Sequence, residues 1–288
     1  MLTLVEAISL AGDRAKQNDD AYGAAGATAW VIDGATDLHA TPHTSYPSDA
    51  AWIATELNAN LFYHLIAENP LGVTAETLRE EFKIASESLY VRFTEGLTDR
   101  DIERWALPTA SVLAVSDNDG ALVGADLGDS RCFALDDDGV GHGAGSRENG
   151  TDDERERARA ASQRAGAPAS LRDPDTMTML RAVRAQHNLA GGNYWVFGLQ
   201  PECADHARVW TLALKRPAHV LLCTDGFSAL VDRYKVYDAG SLVQAALDKG
   251  LQELGRELRA IETADAGGAA HPRFKKSDDA TAVLLRLT

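Results

Sequence analysis

Residues 29–36, AWVIDGAT, run four apolar side chains (Ala29–Ile32) straight into an Asp-Gly pair. This pattern predicts a buried strand that stops where a carboxylate is needed. Gly34, with no Cβ, lets the backbone turn and present a carbonyl oxygen. A carboxylate beside a carbonyl is part of a nest for a hard divalent cation, which prefers oxygen ligands. An Asp-Gly pair after a strand is ordinarily only a turn, so the reading depends on recurrence. The same device, an apolar strand with acidic residues at its tip, stands at Asp19/Asp20, Asp33-Gly34, Asp225-Gly226 and Asp278/Asp279. Carboxylates at neighbouring strand ends would face one cleft, where they repel one another unless cations neutralise them. Two divalent ions there could also activate a water.

Outward from that strand, the periodicity predicts a first strand over Leu2–Leu10 and a loop over 11–20. A helix starts at Ser48, with Ile53, Leu57, Leu61 and Leu65 on one stripe, widened by Phe62 and Ile66, and ends at Pro70 and Gly72. A second helix follows Thr74 and stops at Gly96. Strands then fall over 110–115, 121–127 and 131–135, with DNDG (117–120) as a hairpin turn and DDDG (136–139) as another turn. Residues 141–175 are polar and charged, with a short solvated helix near 153–163, and read as the most mobile segment. A helix near 178–188 and strands over 207–214 and 219–224 follow. One helix within 241–263 and a strand over 280–287 close the chain. Strands and helix pairs come in blocks, which predicts an α+β layered domain of antiparallel sheets rather than a doubly wound parallel sheet.

The chain has 288 residues and a formal net charge of −15. That field disfavours nucleic acid and anionic membranes as partners. No apolar run approaches membrane-spanning length and no secretory leader opens the chain, so a cytoplasmic protein is expected. Cys132, Cys203 and Cys223 form no C-x-x-C and read as buried thiols in a reducing compartment.

The ordered blocks resemble the PPM-type, or protein phosphatase type 2C, family of metal-dependent Ser/Thr protein phosphatases. Asn18-Asp19-Asp20-Ala21 is similar to the family's N-E-D-A, Val31–Gly34 to V-x-D-G, Pro108–Ser111 to G-S-T-A, and Gly128–Arg131 to G-D-S-R. Leu221–Gly226 is similar to L-x-S-D-G with Thr224 in place of Ser, and Asp278–Thr281 to D-[DN]-x-T. The resemblance implies a single domain over 1–288. Its fold would be a four-layer αββα sandwich, two mostly antiparallel sheets flanked by helix pairs, with residues 141–175 as a variable flap-like insert.

The resemblance also implies a site. Asp33 would bridge two Mn²⁺ or Mg²⁺ ions, the Gly34 carbonyl would touch the second, and Asp225 and Asp278 would hold the first. Asp19 or Asp20 would serve the second, directly or through water, and Asp129 a looser third. A metal-bridging hydroxide would attack the phosphorus of phosphoserine or phosphothreonine in a protein substrate, with no phosphoenzyme. Asp33, Asp225, Asp278 and a phosphate-gripping Arg would carry the reaction.

The sequence departs from the family at three points. The phosphate-gripping Arg is assigned to Arg14, ahead of Lys16, because a planar fork suits phosphate. The family's D-G-H-G-G is here Asp33-Gly34-Ala35-Thr36, so its His is missing and His39 or His43 is left as a substitute or as a solvated loop residue. Asp19 is one methylene shorter than the family Glu. Arg131 reads as a structural ion-pair partner, and Arg273–Lys276 as a solvated basic loop, the lesser alternative being a modest role in attracting phosphopeptides, since it lies just before Asp278. The alternatives are a non-catalytic relative that binds a partner, or a phosphatase for a small phosphorylated metabolite. A monomer is favoured.

Overall fold

The AWVIDG stretch lies in the strand β3 (Thr28–Gly34), which pairs on one side with β2 (Asp20–Ala25) and on the other with β4 (Thr109–Asn118). The computed structural model describes residues 1–68, 72–95, 97, 101–145, 149–192 and 194–288. Within them, β3 alternates its side chains between two cores. Ala29 and Val31 join an inter-sheet core with Leu113, Cys132, Val220 and Val283. Trp30 and Ile32 turn the other way, to the helices α1 (Asp49–Glu68) and α2 (Ala75–Glu95), among Leu57, Leu61, Phe82 and Leu89. A strand apolar on both faces belongs in the middle of a layered fold, as its unbroken run implied.

One sheet runs β2-β3-β4-β5-β9, with β5 (Ala121–Leu127), β9 (Arg208–Leu212) and the short β8 (Phe197–Gly198) on β4. The other runs β1-β11-β10-β6-β7, from β1 (Leu2–Leu10), β11 (Ala280–Leu287), β10 (Ala218–Cys223), β6 (Arg131–Leu135) and β7 (Gly141–Gly145). Every pairing is antiparallel. The outer face of the second sheet buries Leu221, Cys223, Ala282 and Leu284 against α5 (Asp225–Asp232), α6 (Ala239–Lys249) and α7 (Leu251–Ala264). The result is the expected αββα layering. A third group, α3 (Asn149–Ala165) and α4 (Pro174–Arg184), stands apart on a small core of Ala158, Ala161 and Phe274.

Several boundaries differ from the periodicity. The closing helix is two, broken at Gly250, whose φ of 81° is in the left-handed region. Asp225-Gly226 is not a turn but the first turn of α5. Residues 141–145, GHGAG, carry no strand propensity, yet they pair in register with β6 and form the sheet edge. The polar helix expected near 153–163 extends over Asn149–Ala165, and the next one ends at Arg184 rather than near 188. The DNDG hairpin is as expected, with positive φ at Asp119 and Gly120. The helix stops assigned to Pro70 and Gly96 lie outside the described residues, as does the side chain of Ile66. No helix among the described residues is long and apolar enough to cross a membrane.

Candidate metal centre

The sandwich brings its acidic tips to one place. Asp33 is opposite Asp20 across β2–β3 and opposite Ser111 across β3–β4. Asp225 leaves the end of β10, and Asp278 precedes β11, the partner of β10. Asp33, Gly34, Asp129, Asp225 and Asp278 line one cavity of about 810 Å³. They face that cavity without closing on a single point. Among the described residues, no three of them bring one oxygen each within 4.8 Å of one another.

Glycines let these tips approach. A Cβ on Gly34 would stand 2.4 Å from the Ala50 carbonyl oxygen and 2.6 Å from that of Asp19, and one on Gly226 would stand 1.9 Å from the Asp279 oxygen. The requirement at Gly34 is therefore space, with no positive φ involved. Asp279 ties the blocks together from behind, accepting from the Gly12 N–H (2.7 Å) and the Asp19 N–H (2.6 Å). The Thr109–Ser111 segment anchors the Gly-Asp-Ser block in the same way. Ser111 Oγ accepts from the N–H groups of Asp129 (3.0 Å) and Ser130 (2.9 Å).

The electrostatics are those of a carboxylate cluster short of positive charge. Burial, then Asp20, Asp225, Asp278 and Asp129, push the Asp33 carboxyl well above the usual range. Burial, then Asp129 and Asp278, do the same to Asp225. Asp20 is pushed up to about 8 by burial, against hydrogen bonds from Thr281 and Thr224. Burial also raises Asp129, which accepts from the Tyr194 hydroxyl at 3.1 Å. Asp278 moves the other way. Burial works against its charge, but Lys275, whose Nζ lies 2.6 Å from its Oδ1, and then Arg233 hold its carboxyl below the usual range.

These residues fit hard divalent cations. Asp20 Oδ1 is buried with no hydrogen-bond partner while Oδ2 accepts from Thr224 Oγ1 at 2.9 Å, and the donor set is all oxygen. Asp19 is turned elsewhere. Its carboxylate accepts from Ser48 Oγ, which also caps α1 by accepting from the Ala51 N–H, and burial raises its pKa to about 6. Of the adjacent pair, Asp20 is the one set among the other carboxylates.

Arg14 is exposed in the β1–β2 loop and does not line the cavity; the cations that do are Arg157, Arg184, Arg233, Arg273 and Lys275. His39 and His43 do not line it either. Both rings turn to the buried Asp49, with His39 Nε2 at 3.0 Å and His43 Nδ1 at 2.8 Å from its Oδ2. These three side chains could hold a metal by proximity. The same carboxylate already accepts from the His43 and Thr44 N–H groups, so it organises the loop and holds a pKa below normal despite its burial.

Arg131 pairs with Asp232 at 3.1 Å, in the bracing role expected of it. Arg273 overturns the solvated-loop reading. It is 6% exposed and bonds Asp265 and the carbonyls of Glu262, Asp265, His271 and Lys276, because its fork closes the loop before Asp278. Sequence reasoning does not single out Tyr194 or Arg233 as site residues, and meets Lys275 only as part of the basic stretch before Asp278. No strand-tip pattern marks them, since each reaches the cavity from a loop or a helix end.

A family model described as protein phosphatase 2C matches residues 13–259, which hold every acidic tip except Asp278/Asp279. None of the curated proteins compared matches the sequence. Solved structures similar in fold include the Mycobacterium tuberculosis serine/threonine phosphatase PstP/Ppp, at 17% identity and a TM-score of 0.59, covering 99% of this chain and 98% of that one. The catalytic domain of PstP in complex with two manganese ions aligns at 17% identity and a TM-score of 0.58, covering 99% of each chain. Pseudomonas aeruginosa PppA aligns at 15% identity and a TM-score of 0.53, again over 99% of each.

Proposed function

This chain belongs to the protein phosphatase 2C family, and from that premise we propose that it is a metal-dependent phosphatase of phosphoserine and phosphothreonine in proteins. The observation that carries the reading is the convergence of Asp33, Asp225 and Asp278, from three separate segments, on one cavity, with Asp20 paired opposite Asp33 and with burial and mutual repulsion raising Asp33 and Asp225. Asp33, Asp225 and Asp278, with Asp20 and the Gly34 carbonyl, would hold two Mn²⁺ or Mg²⁺ ions, and Asp129 a third. Bound ions would neutralise the carboxylates, lower the pKa of a water and polarise the phosphoryl oxygens.

The chain's own residues do the rest. Lys275 and Arg233, the cations beside Asp278 and Asp225, present positive charge to a phosphoryl dianion. We assign them the phosphate-facing role in place of Arg14, which is exposed outside the cavity. Tyr194 orients the Asp129 carboxylate through its hydroxyl. The serine or threonine oxygen leaves without a neighbouring histidine acid, because His39 and His43 are committed to Asp49. We further propose a single domain acting in the cytoplasm as a monomer.

The test is Mn²⁺-dependent phosphate release from phosphoserine and phosphothreonine peptides, run beside phosphosugars. Turnover of the peptides in preference to the sugars is expected. Turnover of sugars alone would assign a metabolite phosphatase. No turnover with Mn²⁺ or Mg²⁺ would overturn the enzyme reading and leave a binding domain.

A further inference from the structure

The same cavity that the carboxylates line also has a set of basic side chains, a basic wall, for which phosphate hydrolysis gives no use. Arg157 comes from α3, Arg184 from the last turn of α4, and His187 from just beyond it. Arg104 backs them, donating to the carbonyls of His187 (2.9 Å) and Asn188 (2.7 Å). Arg184 donates to the Thr36 carbonyl at 2.6 Å. Among the described residues none of these three arginines makes an ion pair; where they bond at all, they bond to neutral carbonyls.

Asp37 acts on Arg184, and Asp153 and Glu154 of α3 line the same cavity, yet among the described residues no carboxylate closes on these guanidinium groups as an ion pair. Like charges without a contacting counter-ion are costly where solvent is excluded. Three nitrogens of this wall are also buried without a hydrogen-bond partner, namely Arg157 Nε, Arg104 Nε and His187 Nδ1. Arg131, Arg216 and Arg233 also leave Nε unpartnered but hold carboxylates with their other nitrogens, whereas no carboxylate pairs with Arg157 or Arg104 among the described residues, which leaves these donors open to a ligand or ordered water. Burial and then the surrounding Arg184, Arg157 and Arg104 push the His187 imidazole down to about 4, as expected of a ring among uncompensated cations. The cations nearest the metal-facing carboxylates are others, Lys275 and Arg233. The basic wall is thus built from cations other than the two beside the metal-facing carboxylates.

We propose that Arg157, Arg184 and His187 form an anion subsite that takes a second acidic group of the phosphopeptide, a carboxylate or phosphate close in sequence to the residue being hydrolysed. This deepens the phosphatase reading and rests on it. Two anions on one substrate would otherwise be repelled by a chain of net charge −15. Guanidinium forks with free N–H groups suit either carboxylate or phosphate oxygens, and neutral His187 can add one more N–H.

Three phosphoserine peptides that differ only beside the phosphoserine, with neutral, acidic or phosphorylated neighbours, test the proposal. The acidic or doubly phosphorylated peptide is expected to exceed the neutral one in kcat/KM by about tenfold, through KM. Which of the two leads identifies the group the subsite takes. Arg157→Gln is expected to bring the ratio to about one, and Arg157→Lys to restore part of it. Equal rates for the three peptides, or a preference that survives Arg157→Gln, would overturn the subsite.

If no peptide turns over, the phosphatase reading falls and the subsite is still decided by binding. NMR of the His187 ring is then followed while metal-free protein is titrated with succinate and with inorganic phosphate. A saturable shift present in the wild type and lost in Arg157→Gln supports the site. No shift with either anion would overturn it.

Discussion

The two walls of the cavity are built by opposite means. The acidic wall is made of Asp33, Asp225 and Asp278, with Asp20 paired opposite Asp33, and is fixed by antiparallel register and by glycines at which a Cβ would clash. The basic wall is made of a helix pair, α3 and α4, on a small core of its own, and its side chains make few bonds. The first wall is rigid and needs cations; the second is lightly braced and needs anions. A phosphorylated substrate with ions would serve both. The rigid wall is therefore assigned the chemistry and the lightly braced one the choice of substrate.

The most severe test of this division is Asp33→Asn. It keeps the shape of β3 but removes the carboxylate on which all the other acidic tips act. Mn²⁺-dependent turnover should fall about 10³-fold or more on every substrate. Circular dichroism should be unchanged, and the metal-free protein should melt no lower than wild type, because one crowded anion is gone. A variant that retains a tenth of the activity would move the chemistry away from the acidic wall.

The raised carboxyls Asp19 and Asp20 and the depressed imidazole of His187 should titrate with opposite signs. In the metal-free protein Asp20 binds its proton up to about pH 8 and Asp19 to about pH 6, against 3.8 in the unfolded chain. Between those values the folded state holds more protons, so the contribution of these two carboxyls is full below about pH 4 and is lost as pH rises towards 8. Each tenfold difference in proton affinity between the folded and unfolded chain is worth about 1.4 kcal/mol. His187 has the reverse sense. Its pKa is about 4 folded and 6.5 unfolded, so its contribution is lost as pH falls through that window. Thermal melts from pH 5 to 8 should show a metal-free midpoint that declines with pH, a decline abolished by Mn²⁺. His187→Gln should steepen the decline, because it removes the opposing contribution. A metal-free midpoint that climbs from pH 6 to 8 would contradict the crowding of the carboxylates.

How legible each wall was in the sequence follows from the same contrast. A strand that ends in Asp-Gly has a period and a stop, so Asp33 and Asp225 could be singled out one by one, and Asp278 from its place just before the closing apolar strand. The register that sets Asp20 rather than Asp19 beside Asp33 is a tertiary fact, since adjacent residues on a strand face opposite ways. The basic wall gave no such signal. Arg157 lies in a charged run that reads as a solvated helix, and Arg184 and His187 sit at the end of a helix with one half-apolar face. Only the packing of α3 and α4 over the cavity gives those residues a common target. Arg273 escapes a linear reading for a related reason, because four hydrogen bonds to its own loop and one to the end of α7 have no pattern in a sequence.

The glycines test how rigid the acidic wall is. Gly226→Ala sets a methyl 1.9 Å from a backbone oxygen of the Asp278/Asp279 block, and a backbone atom cannot swing aside as a side-chain tip can. A loss of about 1–3 kcal/mol in denaturant unfolding is expected. Gly143→Ala is the control: it lies on the edge strand β7, where a Cβ would meet nothing within 4 Å, and it should cost little. Equal losses would mean that the acidic tips have room to yield.

The smallest effect is expected where the walls meet. Tyr194 donates its hydroxyl to Asp129 on the acidic side and sets its ring 5.0 Å from that of His187 on the basic side. Tyr194→Phe keeps the ring and removes the hydrogen bond that favours the charged carboxylate. Asp129 should then hold its proton to a higher pH and bind a cation less well. At about 1 kcal/mol for one such bond, the Mn²⁺ concentration for half-maximal activity should rise about fivefold, while the preference among flanked phosphopeptides stays as in wild type. An activation curve separates the outcomes. If the peptide preference moves and the Mn²⁺ requirement does not, Tyr194 works for the basic wall through its ring, and the boundary between ion holding and substrate choice runs on the other side of it.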